Sequence, residues 1–176
     1  MECRSERVLK NLDAVFPIFS YRLWNVNLLC RWKLKGERNL SDFFAGLVKI
    51  RLEQVFREKE KCAVVPVPPR PGKLKKEGWD QIRELSFFLK LKYGFEIHDI
   101  LERRNCVQQK TLNREERLLT IGSSYFVKEE VGKIPERVCI LDDVMTTGAT
   151  LEGISGLLKE RGAKQVFAVT LFIVDG

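Results

Sequence analysis

The chain has 176 residues, 44% of them hydrophobic and 31% charged, a composition that suits one soluble globular unit and excludes a disordered or low-complexity class. Its longest apolar run, VFAVTLFIV at 166–174, falls far short of the roughly 20 residues that cross a bilayer and is interrupted by Thr170, so the sequence offers no membrane span. Five cysteines, odd in number and without a Cys-x-x-Cys pair, exclude a disulfide framework and a zinc ribbon, while a formal net charge of +7 leaves nucleic acid or small polyanions as partners.

The opening MECRSERVLK mixes charges where an export signal would need a continuous apolar stretch, which implies a cytoplasmic protein. The residues through Trp32, with VFPIF, YRLW and NLLCRW, are aromatic-rich and irregular and read as a cap packed over or beside a sheet. From Ser41, apolar residues Phe44, Leu47, Val48, Leu52 and Val55 recur at helical spacing, with Ser41 as N-cap and Asp42 in the first turn. Residues 1–60 therefore form a cap or hood with an amphipathic helix, part of the same unit as a core at 61–176. That core opens with CAVVPVP at 62–68, a β-branched run broken by prolines, followed by the basic loop PRPGKLKK at 69–76. A second helix is predicted in WDQIRELSFFLKLKYG, with Ile82, Leu85, Phe88 and Leu89 on one face and Gly94 as its stop. FEIHDIL at 95–101 is a weaker strand candidate, 102–124 is polar and poorly periodic in the manner of a functional or mobile loop, and YFV at 125–127 is a short strand.

The last segment gives RVCIL as a strand, EGISGLLKERGA as a helix closed by Gly162, and QVFAVTLFIV as the next strand. This βαβ unit places the chain in the α/β class, with a mostly parallel central sheet flanked by helices, a fold that binds ligands beyond the carboxyl ends of its strands. Asp142 and Asp143 fall at that edge, ahead of a turn of small residues that opens the helix. Such a turn offers free backbone N–H groups and the positive end of the helix dipole to an anion, and the hydroxyls of Thr146, Thr147 and Thr150 add donors. Neither the P-loop pattern nor the dinucleotide Gly-x-Gly-x-x-Gly is present. Two carboxylates repel a bare phosphate, so the same ligand must offer them hydroxyl donors or a hydrated cation. A ribose 5-phosphate has both ends. The plainer reading is that the two aspartates begin a loop and cap the helix.

At these residues VCILDDVMTTGAT resembles the phosphoribosyl-pyrophosphate (PRPP) motif of the type I phosphoribosyltransferases. The resemblance implies that Asp142 and Asp143 contact the ribose hydroxyls and meet Mg²⁺ indirectly, through PRPP and water. It likewise implies that Met145, Thr146, Thr147, Gly148, Ala149 and Thr150 hold the 5-phosphate. VVPVPPRPGKLKKEGWDQ, the Lys-x-Lys-Gly segment at 33–36 and QKTLNREERLLT are similar to the ComF subfamily, linked to DNA uptake in competent bacteria; the likeness runs from about Leu28 to Val174. Two departures stand out: the cysteine-rich zinc module with which ComF-like chains commonly begin has no counterpart, and Glu77, Trp79 and Asp80 stand where Arg, Phe and Asn are usual. By the same resemblance Arg70, Lys73, Lys75 and Lys76 approach the 1-diphosphate of PRPP, and Lys110, Arg114 and Arg117 close over it. The implied reaction is displacement of diphosphate by a nitrogen acceptor, the hood over C1 coming from the N-terminal part. No general base is legible, and the only histidine, His98, reads as structural. The alternative is a non-catalytic PRPP- or nucleotide-binding accessory protein among competence-machinery partners, with a homodimer left open. Direct DNA binding is disfavoured because aromatic platforms do not interleave with cations along the sequence.

Overall fold

The computed structural model describes residues 9–56, 62–104 and 124–174. In chain order these form β1 (Ala14–Ser20), α1 (Leu23–Lys33), α2 (Asn39–Val55), β2 (Ala63–Pro66), α3 (Lys73–Glu77) and α4 (Gln81–Tyr93). They continue with β3 (Leu101–Arg103), β4 (Tyr125–Val127), β5 (Arg137–Met145), α5 (Ala149–Glu160) and β6 (Gln165–Ile173). The central sheet has the order β1-β6-β5-β2, with every neighbouring pair parallel. A separate two-stranded antiparallel sheet pairs β3 with β4. The predicted α/β architecture and βαβ unit are observed.

The periodicity of 2 along β5 divides the molecule into two cores. Val138 and Ile140 pack with Leu151, Ile154 and Leu158 of α5 and with Tyr125 and Val127 of β4. Cys139 and Leu141, on the other face, join Trp32 of α1, Phe44, Val48 and Leu52 of α2, and Leu85 and Leu89 of α4. Complete burial pushes the Cys139 thiol well up from its ordinary value, which keeps it a thiol and inert. Among the described residues no helix is long and apolar enough to cross a membrane.

Within the stretch read as a cap over or beside the sheet, Ala14–Ser20 is itself an edge strand, in register with Phe167–Ile173 of β6, while Trp32 of α1 packs against Cys139, Leu141 and Val169 of the sheet. The sequence hides this strand because Pro17 interrupts the β-branched pattern, and an edge strand tolerates proline where a central one does not. The helix predicted from Ser41 begins two residues earlier, at Asn39. Ser41 is no cap: it lies fully buried within α2, where its Oγ accepts a 2.8 Å bond from Trp32 Nε1 and donates to Glu84 Oε2 at 2.5 Å. One hydroxyl thereby ties α1, α2 and α4 together. The basic loop contains the short helix α3, with Gly72 and Gly78 at its two ends. FEIHDIL supplies only an isolated bridge from Ile97 to Val64 before β3 begins at Leu101. For the second predicted helix the sequence reading is accurate, because Asp80 caps α4 by accepting from Arg83 N at 3.0 Å and Gly94 ends it at φ +70°.

Replacing Ser41 by alanine leaves the buried Trp32 N–H without an acceptor. We expect Ser41→Ala to lower unfolding free energy by about 1–3 kcal/mol in urea titrations, with little change in the slope.

Candidate functional site

The site follows from where β2 stops. Its last residue, Pro66, pairs with Leu141, and one more bond, from Val67 N to Leu141 O at 2.9 Å, closes the ladder. β5 continues to Met145, still paired with β6 on one side but with no partner strand on the other. A cleft of about 1340 Å³ opens along this overhang. Its walls are the C-terminal end of α1, the stretch from Val67 through Ile82, and the start of α5, with Arg103 and Tyr125 contributed by β3 and β4.

Asp142 and Asp143 both line the cleft, Asp143 on the side of α1 through Lys33 and Asp142 within electrostatic reach of Tyr125 on the side of β4. Burial, followed by the adjacent Asp143 carboxylate, pushes Asp142 up to about 8 from an ordinary 3.8. The Asp143 backbone N–H, donating to Asp142 Oδ1 at 2.8 Å, and the Lys33 ammonium oppose that rise. On the α1 side Asp143 Oδ2 accepts from Lys33 Nζ in an ion pair that joins α1 to β5. The floor of the cleft thus pairs an acid that holds its proton more tightly than an ordinary carboxyl with an aspartate that is ion-paired to a lysine.

The turn after β5 has the expected shape. Gly148 takes φ +77°, and a Cβ there would lie 3.0 Å from Met145 Cε and 3.1 Å from Leu9 Cδ2, so the turn requires glycine for both conformation and space. Thr146 and Thr150 line the cleft, Thr147 is exposed and accepts from Ala149 N at 3.4 Å, and Gly148 and Ala149 are buried beneath them. Met145 is a correction: its side chain is buried in the α5-side core and does not face the cleft. Tyr125, with its own titration raised by burial, bonds through its hydroxyl to Thr150 and carries the Arg103 guanidinium 5.2 Å over its ring.

Of the basic residues assigned to the diphosphate, Arg70, Lys73 and Lys76 line the cleft and Lys75 does not. Lys73 is already committed, because its ammonium lies 2.8 Å from Asp80 Oδ2 and also donates to Gln81 Oε1. Asp80 is one of the three residues that depart from the ComF pattern, and here it is both the α4 cap and the lysine's counter-ion. Arg70, Lys35 and Lys76 line the cleft and make no ion pair among the described residues. Lys110, Arg114 and Arg117 lie outside the described residues. Trp79 packs partly against the helix-side core under Arg38, 5.8 Å from its ring, while still lining the cleft. Sequence reasoning gave no site role to Lys33, Arg103 or Tyr125. Lys33 belongs to the Lys-x-Lys-Gly segment already noted, whereas Arg103 and Tyr125 carry no pattern until β3 and β4 bring them to the cleft.

A magnesium ion fits this donor set only as one brought by a ligand. Among the described residues no group of three His, Cys, Asp or Glu side chains converges, and Asp143 already carries a cation. The two carboxylates suit contact through water, not a protein cage.

Fold and site define a parallel α/β protein whose cleft, at the carboxyl edge, sets paired acids beside a small-residue turn. No family model matches the chain. It is 34% identical over 154 residues to Competence protein ComFC of Streptococcus pneumoniae, covering 88% of this chain and 66% of that one. It is 27% identical over 148 residues to Competence protein F of Haemophilus influenzae, covering 79% of this chain and 63% of that one. The chain belongs to the ComF-like family, and it spans a little under two thirds of the length of these curated relatives. Among solved structures it is similar to a hypoxanthine-guanine phosphoribosyltransferase of Bacillus anthracis at 16% identity and TM-score 0.49, over 78% of this chain and 70% of that one. A hypoxanthine phosphoribosyltransferase of Staphylococcus aureus aligns at 17% identity and TM-score 0.45, over 77% and 64%.

The raised Asp142 sets a pH dependence whose sign follows from linkage. A carboxyl with a folded value above its unfolded one favours the folded state while protonated, so its contribution is complete below about pH 4 and is lost as pH climbs toward 8. Asp142→Asn is expected to flatten the fall in melting temperature between pH 5 and 8 and to raise it by several degrees at pH 8. A variant that melts lower than the parent at pH 8 would contradict the assignment.

Proposed function

We propose that the cleft binds PRPP and that the chain transfers its 5-phosphoribosyl group to a nitrogen acceptor with release of diphosphate. The observation that carries this reading is the placement of Asp142, Asp143, Thr146 and Thr150 on one cleft, with Arg70, Lys35 and Lys76 on its walls. The start of α5 and the threonine hydroxyls offer donors to the 5-phosphate. Asp142 and Asp143 accept from the ribose hydroxyls, and the Asp143 carboxylate favours the positive charge that develops at C1. The acceptor's nitrogen lone pair forms the new bond to C1 as the C1–O bond to diphosphate breaks, the electron pair leaves with the diphosphate, and the nitrogen's proton passes to solvent. Cleft cations and a diphosphate-bound Mg²⁺ would offset the leaving group's charge, Asp142 and Asp143 meeting that ion through water. Positioning and electrostatics supply most of the rate.

A second reading, a non-catalytic PRPP- or nucleotide-binding accessory protein in competence and DNA uptake, is favoured by the names of the two curated relatives, both competence proteins. The two readings differ in turnover. PRPP with Mg²⁺ should raise the melting temperature of the parent, as a ligand selective for the folded state must. The double variant Asp142→Asn with Asp143→Asn should abolish that shift while remaining folded. In a screen of purine, pyrimidine and pyridine bases the parent should release diphosphate, and alanine at Lys110, Arg114 and Arg117 should reduce release at least tenfold with ribose 5-phosphate affinity kept. Tight PRPP binding without diphosphate release from any acceptor selects the accessory reading, and no thermal shift at millimolar PRPP removes both.

A further inference from the structure

The function proposed above gives Lys33 no part, although it lines the cleft with its ammonium on Asp143. Lys33 is the last residue of α1, and its main-chain carbonyl accepts from Gln81 Nε2 at 3.3 Å. The same Gln81 side chain accepts from Lys73, which is bonded to Asp80. A continuous series of contacts therefore runs from Asp143 through Lys33 and Gln81 to the basic loop. Lys33 sits between the acidic pair and that loop, on the opposite side of the sheet from Tyr125, Thr150 and the start of α5.

An ammonium has three donors, and among the described residues the Lys33 side chain is bonded only to Asp143. Its side chain is 37% exposed, so the remaining donors face the open cleft. The charge of Lys73, by contrast, is met by a carboxylate that is 5% exposed. The lysine that the sequence marked for a second anionic group is thus neutralised locally, and the lysine it passed over is half uncommitted and better placed.

We propose that Lys33 is a specificity-determining residue: it holds Asp143 for the sugar and donates to an anionic substituent on the ribose carbon facing the basic loop. The pair therefore reads a ligand that carries a hydroxyl and a phosphate ester or diphosphate side by side. This rests on the reading that the cleft takes a phosphorylated ribose. It separates the ends of such a ligand, the 5-phosphate lying at the threonine turn and the second anion at Lys33 with Arg70 and Lys76.

Calorimetric titration of the full chain with PRPP and Mg²⁺, and separately with ribose 5-phosphate, tests it in the parent and in Lys33→Met and Lys33→Arg. Loss of one charge-assisted contact should weaken PRPP about 10- to 100-fold in Lys33→Met while ribose 5-phosphate changes less than threefold. Lys33→Arg should recover most of the PRPP affinity. Equal losses for both ligands would make the ion pair merely structural, and tighter PRPP binding in Lys33→Met would make Lys33 a plug; either overturns the proposal. A parent that binds neither ligand overturns the phosphorylated-ribose reading itself, a failure visible before any variant is compared.

Discussion

Prolines at 66, 68, 69 and 71 withhold four backbone N–H groups just where β2 would otherwise continue alongside β5. β2 therefore ends opposite Leu141, and β5 runs on through Asp142 to Met145 with one flank unpaired. That missing length of strand is the cleft. Everything else in the site is an arrangement around it: the chain leaving β2 becomes the basic wall, α1 closes the mouth with Lys33, and the glycine turn after Met145 brings the start of α5 to the rim.

The electrostatics of the floor follow from this geometry. Half-enclosed by the sheet edge and each other, the two acids cannot both ionise cheaply, and the fold solves the problem twice over. Burial and the neighbouring Asp143 push Asp142 up to about 8, whereas Asp143 is met by an ammonium from a different helix. The same device recurs at the cleft's other wall, where Lys73 answers Asp80 at the head of α4. Net charge along the chain does not show which cations remain for a ligand; only the pairing does.

Much of this was legible from residue order. The βαβ unit at the C-terminal end, the glycine stop of α4, and the placement of Asp142 and Asp143 at a carboxyl edge followed from periodicity, glycine and turn chemistry. What escaped was long-range. β1 looked irregular because its partner, β6, lies some 150 residues away and its own pattern is broken by a tolerated edge proline. Ser41 has an N-cap's residue type but spends its hydroxyl on Trp32, a contact no local rule contains. Met145 lies inside a binding motif by sequence yet packs inward beneath Gly148. Lys33 and Tyr125 reach the site only through helix and strand packing, and a basic run as dense as PRPGKLKK drew attention away from them.

The division of the molecule by its sheet bears on how such a chain can change over time. Neighbouring residues of β5 answer to different interiors: Ile140 belongs to the side built by α5 and β4, Cys139 and Leu141 to the side built by α1, α2 and α4, from which Lys33 reaches Asp143. Substitutions that remodel the helical side can alter what surrounds Asp143 while the threonine turn keeps its setting, and the reverse holds as well. The two halves of one recognition event are thus inherited on separable structural layers, so a lineage can hold its grip on one end of a ligand while exploring what it accepts at the other.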